Sequence, residues 1–119
     1  MNKRILVIDD DQPLRLLYRS ELSDDGYEVL TAETAHEGIE KVCANDIALV
    51  VLDIEMPDQS GLDALQRIRR AAPGARVILN SAYSTYKADF QSWLADDYLV
   101  KSSDLQPLKD TIKRLLEDA

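Results

Sequence analysis

Apolar positions in this chain follow two alternating patterns. Short unbroken runs (Ile5-Leu6-Val7-Ile8, Leu49-Val50-Val51-Leu52, Val77-Ile78-Leu79 and Tyr98-Leu99-Val100) are separated by longer stretches where apolar residues recur at helical spacing. A run without polar alternation is the pattern of a strand covered on both faces. The predicted order is strand 4–9, helix 12–25, strand 27–31, helix 34–44, strand 47–52, helix 61–72, strand 75–80, helix 84–95, strand 97–100 and helix 104–118. Leu14, Leu17, Tyr18 and Leu22 share one helical face, as do Leu105, Leu108, Ile112, Leu115 and Leu116. Thr34 with Glu37, and Ser103 with Gln106, read as capping boxes, while Pro13 and Pro107 sit in first turns. Tyr27-Glu28-Val29-Leu30-Thr31 mixes polar and apolar residues and is expected at a sheet edge. Strands alternating with helices through right-handed crossovers give an α/β fold, a doubly wound five-stranded parallel sheet with five helices.

The apolar runs end on chemistry. The first stops at Asp9-Asp10-Asp11, the second at Asp53, the third at Asn80-Ser81 and the fourth at Lys101. In open parallel sheets ligands bind along the carboxyl edge of the strands. Asp11 is expected to cap the following helix, since an aspartate there accepts amide hydrogen bonds. Three consecutive aspartates at a buried strand end repel one another without a cation, and hard divalent ions such as magnesium take oxygen ligands. Asp53 reads either as a turn aspartate or as a carboxylate nucleophile towards phosphorus, which needs neighbouring positive charge. Lys101 could supply that charge, and Ser81 a hydroxyl for a phosphoryl oxygen or for a turn.

Composition narrows the reading. A chain of 119 residues, 45% hydrophobic and 30% charged, suits one domain with a real core. A formal net charge of −8 argues against nucleic acid or an anionic membrane as a direct partner. Cys43 is the sole cysteine, so neither an intrachain disulfide nor a thiolate metal site is available. The apolar run after Met1-Asn2-Lys3-Arg4 breaks after four residues at three aspartates, unlike a secretory signal, and a cytoplasmic location is expected.

Taken together, Ile5-Leu6-Val7-Ile8-Asp9-Asp10-Asp11, Asp53-Ile54-Glu55-Met56-Pro57 with Ser60-Gly61, Ser81-Ala82-Tyr83 and Asp96-Asp97-Tyr98-Leu99-Val100-Lys101 resemble the receiver domain of two-component response regulators. The resemblance covers essentially residues 1–119, expected as one receiver domain with no output domain in this chain. It implies the flavodoxin-like strand order 2-1-3-4-5. It also implies Asp53 as phosphoacceptor and Asp10 as a direct Mg2+ ligand. Asp9 would hold the ion largely through water, and Glu55 would add its backbone carbonyl. Lys101 would contact the phosphoryl group, Ser81 would be the switch hydroxyl, and Tyr98 either matches the aromatic position that rotates inward with it or is an ordinary strand aromatic. On this reading the chain is not an enzyme with a small-molecule product. It catalyses its own phosphorylation, and its loss, taking phosphate from a sensor histidine kinase or histidine phosphotransfer protein. The surface of the helix at 84–95, the strand at 97–100 and the helix at 104–118 would carry the change to a downstream protein target or output domain. Phosphorylation-dependent homodimerisation is left open.

The chain departs from the pattern in places. Ser102 follows Lys101 where the family usually has a cis proline, so a trans bond is expected. The stretch from Ser81 to Lys101 is short, with Tyr86, Phe90, Trp93 and Leu94 on one face of its helix, expected to pack in the core. Glu55 and Tyr83 fall where the family tunes phosphate loss. His36, the sole histidine, is expected on the surface, away from the strand edge. An alternative is a magnesium-dependent phosphatase with an aspartyl-phosphate intermediate, in which Glu55 would be the second acid. A degenerate receiver that binds partners without phosphate is a further one.

Overall fold

Strands buried on both sides need helices on both sides, and the chain supplies them. The computed structural model describes residues 3–82 and 95–117. In chain order it contains β1 (Arg4–Ile8), α1 (Gln12–Asp24), β2 (Glu28–Ala32), α2 (Ala35–Ala44), β3 (Leu49–Asp53), α3 (Gly61–Ala71), β4 (Arg76–Ser81), β5 (Asp97–Val100) and α4 (Gln106–Glu117). The helix expected at 84–95 lies, but for Ala95, outside the described residues, together with Tyr83, Tyr86, Phe90, Trp93 and Leu94. All five strands are parallel, in the order β2-β1-β3-β4-β5, with the mixed strand β2 at an edge as expected.

Successive strand residues point to opposite faces, so each apolar run feeds two cores. Leu6, Ile8, Val50, Leu52, Val77 and Leu79 pack beneath α2 and α3. Ile5, Val7, Leu49, Val51 and Ile78 pack beneath α1 and α4. Register places Ile8 beside Leu52, Asp53 beside Asn80 and Ser81 beside Val100. The carboxyl ends of β1, β3, β4 and β5 therefore form one rim.

Helix ends follow local chemistry, with two corrections. Asp11 caps α1 by accepting from the Leu14 amide at 3.2 Å. At its other end Gly26 adopts φ 97, and the amides of Gly26 and Tyr27 bond Ser23 O and Leu22 O, a glycine-closed helix terminus. Thr34 caps α2 through the Glu37 amide, but the Glu37 carboxylate accepts from the Glu33 amide, one residue before the cap position a capping box would use. The pairing expected of Ser103 and Gln106 gives way to Asp104, which lies closer to the α4 start. Its Oδ1 accepts from the Gln106 amide at 3.0 Å, and the Gln106 side chain donates to Asp110. On α1, Tyr18 and Leu22 are buried, whereas Leu17 is 43% exposed at the margin of the face assigned to it. No described peptide bond is cis, as expected at Lys101–Ser102.

Candidate functional site

Asp9 extends β1 by one residue, its amide bonding Ala32 O at 3.0 Å, and its side chain is buried. Asp9 Oδ1 accepts from the Asp11 amide at 3.0 Å, which closes the turn into α1. From within α1, Arg15 Nη1 donates to the Asp9 carbonyl at 2.7 Å and fixes that corner of the backbone. Asp53 is the last residue of β3, 4% exposed, and its Oδ1 accepts from the Glu55 amide at 3.0 Å. Lys101 follows β5 and turns its ammonium into the gap between the two acids. Its Nζ lies 2.8 Å from Asp9 Oδ2 and 3.2 Å from Asp53 Oδ2.

Two buried acids sharing one base explain the electrostatics. Burial pushes the Asp53 carboxyl above its ordinary range, and the charge of Asp9 adds to this; the Glu55 amide and Lys101 pull the other way. Burial alone would lower the Lys101 ammonium, but hydrogen bonding to Asp9 and the charges of Asp53 and Asp9 raise it instead. One base thus faces two buried acids, so acidic groups are in excess. Asp10, exposed beside Asp9, adds more: one carboxylate oxygen from each of Asp9, Asp10 and Asp53 lies within 4.8 Å of the others. An oxygen-only donor set of this charge suits a hard divalent cation.

The remaining expected residues are placed unequally. Ser81 ends β4, is fully buried, and its carbonyl accepts from the Lys101 amide at 2.6 Å. Glu55 pairs with Ser60 across the loop after β3, its side chain exposed and its amide committed to Asp53. Gly61 lets that loop fold tightly, because a Cβ there would come within 2.7 Å of Ile54 Cα. Tyr98 is 3% exposed within the core beneath α2 and α3. His36 is exposed on α2, paired with Glu40 at 3.2 Å.

Arg15 and Asp58 were not anticipated. Asp58 lies in the loop after Asp53 and accepts from the Ala35 and His36 amides at 3.1 and 3.0 Å, tying that loop to the start of α2. Both act on backbone groups brought near only by the fold, so no local spacing marks them.

The response regulator receiver domain profile matches residues 5–113. The chain belongs to this family. The receiver chain is 37% identical over 116 residues to the DNA-binding transcriptional regulator NtrC of Rhizobium meliloti, covering 96% of this chain and 24% of that protein. It is 30% identical over 113 residues to the response regulator ArlR of Staphylococcus haemolyticus, covering 94% of this chain and 52% of that one. The receiver thus spans from about a quarter to about half the length of these relatives. Among solved structures it resembles the response regulator TrrA of Thermotoga maritima in complex with Mg(2+)-BeF. That match has 46% identity and a TM-score of 0.89, covering 96% of this chain and 99% of TrrA. TrrA in complex with the histidine kinase ThkA matches with a TM-score of 0.87 at 46% identity, over 96% of this chain and 98% of TrrA.

Proposed function

We propose that this receiver is a phosphorylation switch of a two-component phosphorelay, with residues 1–119 as one receiver domain and Asp53 as the acceptor. The observation that carries the reading is the meeting of Asp9, Asp10, Asp53 and Lys101 at one rim, from three strand ends distant in sequence. The Asp53 carboxylate attacks the phosphorus of a phosphohistidine in line. A carboxylate O–P bond forms, the N–P bond breaks, and the bonding pair leaves on the imidazole, which takes a proton. Lys101 screens the oxygens of the moving group, and Ser81 turns its hydroxyl towards one of them afterwards. Asp10 and Asp53 would hold Mg2+ directly, Asp9 through water, and the Glu55 carbonyl would complete the protein ligands. When bound, the ion neutralises charge on the phosphoryl oxygens. Tyr98 would respond to Ser81, and the surface around β5 and α4 would report the state to a downstream target or output domain.

The donor is a sensor histidine kinase or histidine phosphotransfer protein. The ThkA–TrrA complex supports this, and the Mg(2+)-BeF complex of TrrA supports the ion. A cytoplasmic location fits such a donor; among the described residues no helix is long and apolar enough to cross a membrane. The test is incubation with acetyl phosphate and Mg2+, followed by intact-mass measurement. The expected result is one phosphoryl adduct on the wild type and none on Asp53→Ala. Equal labelling of both proteins would refute Asp53 as acceptor. Sustained turnover of p-nitrophenyl phosphate would favour the phosphatase reading instead.

A further inference from the structure

One buried polar pair beside the site has no part in the chemistry above. Asn80 Nδ2 donates to the Tyr18 hydroxyl at 2.8 Å, linking α1 to β4 across 62 positions of sequence. Tyr18 is 1% and Asn80 3% exposed, so the bond is shielded from solvent. Burial raises the Tyr18 phenol above its ordinary range, so it stays neutral at physiological pH.

Its position gives the pair mechanical meaning. Asn80 sits in register with Asp53 and immediately precedes Ser81. Because strand residues alternate, Asn80 faces α1 while Ser81 faces the opposite side. A side chain anchored on one face therefore holds the backbone that carries the hydroxyl on the other. Tyr18 and Asn80 also line a small cavity of about 20 Å³ with Leu99, Leu105 and Pro107. That is room for roughly one water, so the amide can exchange its phenol partner without being left unsatisfied.

We propose that Tyr18 and Asn80 are positioning residues whose hydrogen bond holds the carboxyl end of β4 in its resting place and opposes movement of Ser81 towards a phosphoryl group on Asp53. This rests on the reading of Asp53 as acceptor. Such a bond weights the resting state by the worth of one neutral hydrogen bond, about fivefold in population. Replacing both partners by apolar groups of similar shape is nearly neutral for folding, whereas removing one breaks the bond and keeps a buried polar group that only a water in the cavity can serve.

The experiment uses wild type, Tyr18→Phe, Asn80→Leu and the double variant. Beryllofluoride with Mg2+ is titrated as the phosphoryl mimic, alongside thermal unfolding. Tyr18→Phe and the double variant are expected to bind beryllofluoride about fivefold more tightly, with the double variant melting close to wild type. In the wild type the Asn80 side-chain amide resonance is expected to shift when beryllofluoride binds. Unchanged affinity in both Tyr18→Phe and the double variant, with changes confined to melting temperature, would overturn the positioning role while leaving Asp53 as acceptor. No beryllofluoride binding by the wild type would overturn the acceptor reading and the positioning role together.

Discussion

Lys101 sits closer to Asp9 than to Asp53, at 2.8 Å against 3.2 Å. The shorter contact goes to the residue that is not the proposed acceptor. The lysine therefore anchors Asp9 and leaves the proposed acceptor the weaker of two links. This suits a carboxylate that has to be free to attack.

Removal of the lysine should expose how much repulsion it restrains. Lys101→Met leaves two buried carboxylates facing each other without a cation. Stability at pH 7 is expected to fall by about 3 kcal/mol, measured by urea unfolding. Millimolar Mg2+ should restore part of the loss, because the ion then supplies the missing charge. Equal stability of variant and wild type without Mg2+ would show that the shared lysine contributes nothing.

The raised carboxyl of Asp53 predicts a pH dependence of opposite sign to that of an ordinary salt-bridged acid. Its folded-state value lies above the ordinary 3.8, so the folded protein holds the proton longer than the unfolded chain. The contribution of Asp53 to stability must then fall as pH rises between 3.8 and that raised value. Asp53→Asn, which cannot ionise, should match wild type below that window. It should gain on wild type across the window and hold a constant advantage at neutral pH. Urea unfolding from pH 3 to pH 8 checks this, and an advantage that is largest at the acid end would contradict it.

Asp96 should behave the other way. Burial alone would raise its carboxyl, but the Val77 amide at 2.7 Å, Arg69 at 2.8 Å and Arg76 at 3.3 Å hold it below its ordinary range. The stability it contributes is present above pH 3.8 and is lost as pH falls through the lowered folded value. Asp96→Ala is expected to cost about 2 kcal/mol at pH 7. The difference from wild type should shrink in acid. A variant as stable as wild type at pH 7 would show that the clamp contributes nothing.

The rim of the site could be read from the chain because a charged residue that ends an apolar run has nowhere to go but the strand terminus. Asp9, Asp53 and Lys101 each obey this, and parallel topology then brings them together. Helix caps were legible only where one solution existed. At α1 Asp11 was the last of three aspartates and the one beside the helix, whereas at α4 Asp104 displaced Ser103 because either could meet the first-turn amides. Leu17 lay at the edge of its apolar stripe, where a small rotation of α1 decides exposure. Arg15, Asp58 and Asp96 bind backbone groups that folding delivers, and the Tyr18–Asn80 bond spans two elements. Their roles follow from topology and could not precede it.

The peptide hydrogen bond from Lys101 to Ser81 has a kinetic implication. Amine and hydroxyl ride on two adjacent strand ends joined by that link and by the β4–β5 pairing behind it, so neither can be retuned in isolation. A substitution that slackens the end of β5 will reach the tip of β4 as well. Rates of gaining and losing the modification should then drift as a pair.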